Sequence, residues 1–298
     1  MHYVVSVPVD ENLAGFIGKK GSEDGLVFYN RKVEDNTIVA IMPANKEGSM
    51  HYNIAESMLI AGQMAISTAS VDRLLGEVIV AASLLKKHVL LTDDNDVSGM
   101  VKDLLKDYEV CSRDVLLSRI TSEKGQHDGE LRIDIDKAFP VKGIGTVLLG
   151  VVTRGTVRVH DQLHHSSGKQ VLIKSIQSQD VDVQEAGYGC RVGLAVKGIE
   201  HDEVDKGDLL CAKPFHKAKA MDAVLVSSPF SKEKAAQGSR YLAVSNFSRS
   251  VCKIDAVDGQ NARISLEKPL SVLLGDTFVL IAESSPRIFA SGTVTATV

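Results

Sequence analysis

Two glycines and two lysines near the start of the chain come closest in type to a phosphate-binding loop: Gly15, Gly18, Lys19 and Lys20. Such a loop has the form G-x-x-x-x-G-K-[ST]. Its backbone N–H groups surround the phosphates, its lysine reaches them and its hydroxyl binds Mg²⁺. Here two residues, not four, separate the glycines, and Lys20 stands where the hydroxyl is needed. The spacing therefore argues against a working phosphate loop.

Acidic residues before and after this segment bear on the same question. Asp10 and Glu11 put negative charge where phosphates would lie, so we expect only a surface turn around Gly18–Gly21. Further along, Asp94 and Asp96 follow an apolar run and could contact a base. Such a cluster of acidic and amide residues is equally typical of a loop that caps a helix. We treat four residues as the remnant of a nucleotide site: Gly18, Lys19, Lys20 and Asp94.

The histidines and cysteines show no pattern typical of a metal site. His160 and His164 are four residues apart and His165 follows, but the local sequence predicts a β-hairpin, in which this spacing need not bring the side chains together. The cysteines are far apart and form no C-x-x-C, so we expect reduced thiols that pack in the interior. They are Cys111, Cys190, Cys211 and Cys252.

Length and composition predict a folded protein of two or three domains. The chain has 298 residues, of which 44% are hydrophobic, and its mean hydropathy is +0.03. No apolar run reaches 18 residues and the start does not resemble a signal peptide, so we expect a cytoplasmic protein with no membrane span. Residues 1–112 hold 10 Lys and Arg against 16 Asp and Glu, a net charge of −6, which leaves 24 against 22, or +2, for the rest. This uneven charge permits a phosphate-facing patch on the second part of the chain.

The first 122 residues alternate strand and helix patterns. Short runs rich in β-branched residues at Tyr3–Val7, Thr37–Met42 and His88–Leu91 are typical of buried parallel strands. Between them, a helix is predicted from Val71 to about Lys87 with Ser70 as N-cap, and another from Ser98 through Leu105. The alternation predicts an α/β domain over residues 1–122, with right-handed crossovers.

From about Gly129 the apolar period changes to that of β-strands. Residues 131–136 alternate strictly, as a half-exposed strand does, and strand-length segments then recur between glycine-rich turns. Pro214 ends this block and a second β block follows it. We therefore expect one β-barrel over residues 127–215 and another over 216–298.

Both β blocks carry recurring motifs. Those of the first block are Phe139–Val147, Gly150–Gly155, Val159–Leu163, Ala186–Gly187, Arg191–Ile199 and Lys206–Leu210. Those of the second are Phe247–Val251, Leu266–Leu270, Gly275–Asp276, Pro286–Ile288 and Ser291–Val294. The first set resembles domain 2 of elongation factor Tu, in the form seen in SelB-type factors, and the second resembles domain 3 of the same family, so the resemblance covers nearly the whole chain. Within the family, the chain is most similar to the SelB-like paralogues of methanogenic archaea, the group that includes EF-Pyl.

The resemblance implies a GTPase front domain, yet its signatures are missing. The family's D-x-x-G-H element should follow Thr37–Met42, but residues 43–51 lack the Asp and separate Gly48 from His51. We expect His51 to be a polar residue at a helix start, although it could occupy the catalytic neighbourhood. The family's N-K-x-D element is also absent after His88–Leu91. We therefore expect no physiological GTP hydrolysis, no required cofactor, and GTP with Mg²⁺ only if the remnant site still binds them.

The resemblance also places aminoacyl-tRNA between the first and second domains. The positions that match the family's aminoacyl pocket are Asp136, Lys137, Phe139 and Arg191. An acid and two cations would hold a polar aminoacyl group, and Phe139 would stack on the terminal adenine. The alternative is that Phe139 belongs to the barrel core and that Asp136 and Lys137 end an exposed strand.

The third domain of the family meets the acceptor–T stem of tRNA, and five basic residues make a testable patch on this chain: Arg240, Arg249, Lys253, Lys268 and Arg287. The predicted function is a monomeric aminoacyl-tRNA binder of the elongation factor type, with the ribosome as a further candidate partner. One alternative is a regulatory pseudo-GTPase that binds the ribosome or a translation factor without tRNA. A small-molecule enzyme that uses the α/β domain as a nucleotide fold is a weaker alternative, because no G-x-G-x-x-G follows the first strand.

Overall fold

The computed structural model describes residues 1–34, 36–44, 50–122 and 129–298. They form an α/β unit followed by two β-barrels, as the sequence predicts. We call these parts the front unit, the first barrel and the second barrel.

The front unit is built on a seven-stranded sheet with the order β2-β3-β4-β1-β5-β6-β7. Strands β4, β1, β5, β6 and β7 are parallel to one another, which confirms the three predicted parallel strands, while β2 and β3 form an antiparallel edge. The strands are β1 (His2–Ser6), β2 (Lys19–Asp24), β3 (Leu26–Val33), β4 (Asn36–Pro43), β5 (Gln63–Ile66), β6 (His88–Thr92) and β7 (Tyr108–Cys111). The helices are α1 (Glu11–Ile17), α2 (Met50–Ile60), α3 (Arg73–Leu85), α4 (Ser98–Val101) and α5 (Arg113–Ser122).

The two faces of this sheet are covered differently. Helices α1 and α5 pack on one face. On the other face α2 and α3 cover β5 and β6, whereas Phe28 and its neighbours on β1, β3 and β4 pack against Val151 of the first barrel and Phe247 of the second. The barrels thus complete the hydrophobic core of the front unit.

Three local predictions for the front unit need correction. Helix α3 is capped by Asp72, not Ser70, because the extended Asp72 accepts a hydrogen bond from Leu75 N at 2.9 Å. Helix α4 ends at Val101 rather than Leu105, and the chain continues as a turn around the Val101 carbonyl. Residues 18–21 do not form a surface turn: strand β2 begins at Lys19.

Gly18 explains why a strand can start at that point. A Cβ built on it would lie 2.9 Å from the backbone N and C of Asn30 on β3. Only glycine therefore allows the backbone to come this close to β3, and Lys19 then pairs with Asn30.

The first barrel closes as a ring of six strands in the order β11-β16-β8-β9-β15-β12, because β12 also pairs with β11. Its strands are β8 (Arg132–Val141), β9 (Gly145–Arg154), β11 (Gln162–His165), β12 (Gln170–Ser178), β15 (Arg191–Lys197) and β16 (Leu209–Cys211). The same part of the chain has three further, shorter strands: β10 (Thr156–Arg158), β13 (Val181–Val183) and β14 (Glu185–Gly187). It also has a 3₁₀ turn at His201–Glu203.

The second barrel is closed in the order β17-β20-β19-β18-β21-β22. Its strands are β17 (Ala218–Ser227), β18 (Arg240–Ser245), β19 (Ser248–Asp258), β20 (Asn261–Leu270), β21 (Thr277–Ile281) and β22 (Ile288–Thr297). The outer face of β18, β21 and β22 packs on α2 and α3, so this barrel shares a core with the front unit.

The start of β8 is fully buried, contrary to the half-exposed strand that its alternation predicts. Residues 132–136 are all buried because the polar face lies against the other two parts of the molecule. Arg132 donates two hydrogen bonds of 2.9 Å to Asp134 and one of 2.5 Å to Asp276 of the second barrel. Asn246 also donates to Asp134, at 2.9 Å. A charged network therefore joins the two barrels.

A second buried charge joins all three parts. Glu56 of α2 is fully buried, and its carboxylate lies 2.6 Å from Lys206 Nζ of the first barrel and 3.4 Å from Arg249 of the second. Burial raises the Glu56 pKa, and the attraction of Lys206 and Arg249 opposes that rise. The arrangement of the front unit and the barrels is thus fixed by charge pairs as well as by apolar contacts.

All four cysteines are buried as free thiols, as the sequence predicts. None of the described helices combines the length and the apolar character needed to span a membrane.

Candidate functional site

A cleft of about 450 Å³ lies between the edge strand β2 of the front unit and the first barrel. One wall is made by β2 and Asn30 of β3. The other is made by Leu149 of β9, by the start of β15 and by the turn between β12 and β13. Of the four predicted aminoacyl-pocket residues, Arg191 lines this cleft.

The barrel face that forms the cleft can be followed residue by residue. Paired residues of neighbouring strands share a face, so Lys137, Leu149 and Gly193 form one row across β8, β9 and β15. The next row outward is Phe139, Val147 and Ala195. Alternate residues such as Leu148 and Leu194 fill the barrel interior instead.

The deep end of this face holds an ion pair. Arg191 Nη2 lies 2.6 Å from Asp136 Oδ2, and the Arg191 guanidinium stacks 3.9 Å over the Phe28 ring of β3. A shift of register between Ile135 and Lys137 leaves Asp136 as a bulged residue, which turns its side chain toward Arg191.

Two atoms of this pair have no hydrogen-bond partner although they are buried. They are Asp136 Oδ1 and Arg191 Nη1, an acceptor and a donor on the two members of the ion pair. A buried polar atom without a partner costs about 1–3 kcal/mol. Their presence together is therefore an observation that favours a polar ligand at this position.

The structure shows where the four predicted pocket residues lie. Asp136 and Arg191 are in direct contact, so Asp136 does not end an exposed strand. Lys137 is exposed on the cleft face, and Phe139 is half-buried on the same face, outside the core cluster of the barrel. Sequence reasoning missed Phe28, and its apolar surroundings gave no signal that it would stack on Arg191.

The predicted remnant of a nucleotide site is wrong as a single site. Lys19 and Lys20 lie on the edge strand β2, whereas Asp94 follows β6, and four strands separate β2 from β6. Lys20 is instead 3.0 Å from Glu23, and Asp94 accepts a hydrogen bond of 2.5 Å from Thr92. Because β2 pairs with β3, Lys19 and Lys20 lie at the edge of the sheet and are remote from Asp94.

Charged side chains pair with one another beyond the carboxyl ends of β1 and β6. Asp10 caps α1, and its carboxylate accepts hydrogen bonds from the backbone N–H of Asn12 at 2.8 Å and of Leu13 at 3.0 Å. Arg113 lies between Asp10 and Asp94, at 3.9 and 3.7 Å. A protein carboxylate thus takes the backbone donors that a phosphate would need there.

The loop after β6 leads into α4, whose N-cap residue is Val97 and has no side-chain cap hydrogen bond. Asp96 accepts a hydrogen bond of 2.9 Å from Ser98 N, which lowers the Asp96 pKa. Asn95 donates to the Thr68 carbonyl at 2.8 Å and ties the ends of β5 and β6 together.

The segment that was compared with the D-x-x-G-H element lies mostly outside the described residues, at positions 45–49. His51 is described, and it stands in the first turn of α2, as predicted.

The predicted basic patch of the second barrel is divided between two surfaces. Arg249 stacks 3.9 Å over Tyr52 of α2 and faces the front unit, and Arg287 acts electrostatically on His51 of the same helix. Arg240 and Lys253 are paired across β18 and β19, where Glu267 forms an ion pair with Arg240. Lys268 is exposed on β20. The five residues therefore do not form one patch, because Arg249 and Arg287 lie near α2.

The histidines of the first barrel also separate. His165 is buried, with Nε2 3.0 Å from Asp208, while His164 is its neighbour on the strand and faces the other way. No group of metal-binding side chains was found among the described residues.

Comparison with known proteins now adds to this geometry. Residues 145–211 match the family described as elongation factor Tu domain 2. The chain is 29% identical to an uncharacterised protein of Methanocaldococcus jannaschii over 95% of this chain and 96% of that protein. It is 22% identical to the selenocysteine-specific elongation factor of Haemophilus influenzae over 97% of this chain, but it spans only 48% of that factor.

The fold comparison points the same way. The structure of translation elongation factor SelB from Methanococcus maripaludis, in complex with the GTP analogue GppNHp, superposes with a TM-score of 0.78 at 15% identity. The match covers 100% of this chain and 80% of that structure. The chain therefore resembles the elongation factor Tu/SelB type of translation factor in sequence and in fold, and it is homologous to these factors.

Proposed function

We propose that this protein carries an aminoacyl-tRNA in the cleft between the front unit and the first barrel, and that it does so without binding or hydrolysing GTP. The observation that carries the proposal is the pair of unpartnered buried atoms, Asp136 Oδ1 and Arg191 Nη1, in an ion pair whose arginine lines that cleft.

The chemistry of this pair fits an aminoacyl group. Asp136 Oδ1 would accept a hydrogen bond from the α-ammonium group, and Arg191 Nη1 would donate to a carbonyl or an acidic side chain. Both bonds are charge-assisted, and each is worth about 1.5–3 kcal/mol. Phe28 keeps the guanidinium flat against the sheet, so Arg191 is positioned before the ligand arrives.

The length of the cleft face also fits. The row of Phe139 and Ala195 lies four residues along β15 from Arg191, which is about 13 Å at 3.3 Å per residue. An aminoacyl group and its adenosine span about this distance. Phe139 would then stack on the terminal base, a contact worth about 1–3 kcal/mol.

Independence from GTP is supported by the contacts that Asp10 and Arg113 make beyond the carboxyl ends of the parallel strands. Phosphoryl transfer depends on positioned cations and backbone donors. Here Asp10 takes the donors of α1, and Arg113 lies between Asp10 and Asp94. Glu56 meanwhile holds α2 against both barrels, so the arrangement that forms the cleft needs no nucleotide to assemble it.

One observation favours the alternative of a regulatory factor without tRNA. The basic residues of the second barrel are divided, since Arg249 faces α2 and Arg240 is paired with Glu267. This leaves Lys268 as the main candidate for contact with an RNA stem, since Lys253 Nζ also lies 4.0 Å from a carboxylate, that of Asp255. Under this alternative the ribosome or a translation factor is the partner.

The test is a filter-binding measurement with unfractionated tRNA, aminoacylated or deacylated. We expect the wild type to bind the aminoacylated form more tightly than the deacylated form. In Arg191→Met the ratio of the two affinities should be at least about tenfold smaller. Arg158→Met is the matched control, because Arg158 is an exposed arginine of the same barrel paired with Glu185. Phe139→Leu, which leaves the ion pair intact, should weaken binding of both forms.

Equal binding of both tRNA forms by the wild type would remove the aminoacyl pocket from the account. Absence of binding to any tRNA would favour the regulatory alternative.

A further inference from the structure

Lysine 19 stands at the mouth of the cleft and has no role in the function proposed above. It lines the cleft together with Asn30 and the turn between β12 and β13. We propose that Lys19 binds a phosphate of the RNA backbone next to the aminoacylated end. This inference rests on the proposed function, since it assumes that RNA enters this cleft.

The pairing of β2 with β3 decides which lysine faces the cleft. Lys19 pairs with Asn30, which lies two residues from Phe28 on the face that meets the first barrel. Lys20 pairs with Tyr29, which belongs to the opposite face of the sheet, against α1. The two neighbouring lysines therefore project to opposite faces of one strand.

The charges near the two lysines differ in the same way. Lys20 lies 3.0 Å from Glu23, and that carboxylate raises its pKa. No carboxylate of the described residues lies within ion-pair distance of Lys19, which is exposed. Lys19 is thus available to an anionic ligand, whereas Lys20 already has a partner.

The lining of the cleft favours an anion as that ligand. Two side chains that stay cationic line it, Lys19 and Arg191, against the single carboxylate of Asp180. Lys20 also borders the cleft, but its side chain projects to the opposite face of the sheet. Asp180 belongs to the turn on the opposite wall, where both Gln179 and Asp180 have positive φ. This tight turn holds the wall in place, and Lys19 faces it across the opening.

The source of the anion follows from the position of Lys19. The Arg191 side chain is 16% exposed whereas Lys19 is exposed, so Arg191 is the deeper of the two cations that line the cleft. A chain that enters the cleft to end at Arg191 would pass Lys19, so a backbone phosphate of single-stranded RNA is the ligand that this geometry assigns to Lys19. A free phosphate or a mononucleotide is the competing source.

The experiment measures the salt dependence of binding, with 3′-labelled unfractionated aminoacyl-tRNA as probe. Loss of one contact to a single-stranded phosphate changes the slope of log affinity against log salt by about 0.7. Between 50 and 200 mM salt, the affinity of Lys19→Gln should therefore fall about 2.6-fold less than that of the wild type. Lys20→Gln removes the same charge from the other face and should keep the wild-type slope.

Equal slopes for Lys19→Gln and Lys20→Gln would overturn the assignment. A second result would also overturn it: millimolar inorganic phosphate or GTP displaces the RNA from the wild type but not from Lys19→Gln. Lys19 would then bind a free phosphate. If the wild type binds aminoacylated and deacylated tRNA equally but Lys19→Gln still changes the slope, the aminoacyl proposal fails and this one stands.

Discussion

Replacing Arg132 should lower the free energy of unfolding, because this arginine is the centre of the buried network of ion pairs between the two barrels. Its side chain is 4% exposed, and it contacts Asp134 and Asp276, which are 1% and 7% exposed. Removing one partner of a buried ion pair costs about 3–5 kcal/mol, since the remaining charge stays buried.

The expected cost lies near the lower end of that range. Without Arg132, Asp134 keeps hydrogen bonds from Thr153 and Asn246. Asp276 keeps those from Arg154 and from Leu273 N. We therefore expect Arg132→Met to lower the free energy of unfolding by about 3 kcal/mol.

Arg154 offers a matched control. It also bonds to Asp276, at 2.9 Å, but its side chain is 40% exposed. Water screens this pair, so Arg154→Met should cost no more than about 1 kcal/mol. The assay is equilibrium unfolding in urea followed by circular dichroism, which suits a chain with no tryptophan. Equal costs for the two variants, or a cost below about 1 kcal/mol for Arg132→Met, would refute the argument that burial makes this network matter.

Three further predictions concern stability. Lys87 Nζ donates to three carbonyls at the end of α2 at 2.5–2.7 Å, so Lys87→Met should lower the free energy of unfolding by about 2–3 kcal/mol in the same urea assay. Burial alone would raise the Asp208 pKa, but hydrogen bonds from His165 and Lys217 hold it at about 2. The resulting stabilisation of about 2 kcal/mol is present above pH 4 and is lost as the pH falls toward 2, so stability should depend less on pH over this interval in Asp208→Asn. Gly18→Ala should cost about 1–3 kcal/mol by thermal unfolding, because its Cβ would meet the Asn30 backbone at 2.9 Å, whereas Gly15→Ala, with open space around it, should cost less.

The sequence predicts the architecture well because apolar periodicity reports local burial. The runs at Tyr3–Val7 and His88–Leu91 are strands of the parallel sheet, and the period change near Gly129 marks the start of the barrels. Turn and cap positions are less well specified. Ser70 and Asp72 are both good caps, and the choice depends on the backbone conformation at Asp72, which the sequence does not reveal.

Contacts between distant segments could not be predicted from one sequence. The alternation at residues 131–136 is the same for a half-exposed strand and for one whose polar face meets Asp276, more than a hundred residues away. For the same reason Arg249 was assigned to an open patch, although it stacks on Tyr52. Asp136 and Arg191 were found because the family motif marks both positions. Lys19 was attributed to the wrong site, since the pairing of β2 with β3 decides where it faces.

The most direct test of the central claim is the rate of spontaneous hydrolysis of the aminoacyl ester on tRNA. It is measured with and without the protein, and with and without GTP and Mg²⁺. The account predicts that the protein slows hydrolysis equally in both conditions, and that Arg191→Met abolishes the protection. Protection that appears only with GTP and Mg²⁺ would contradict it, because a nucleotide would then have to displace Asp10 from the backbone donors of α1.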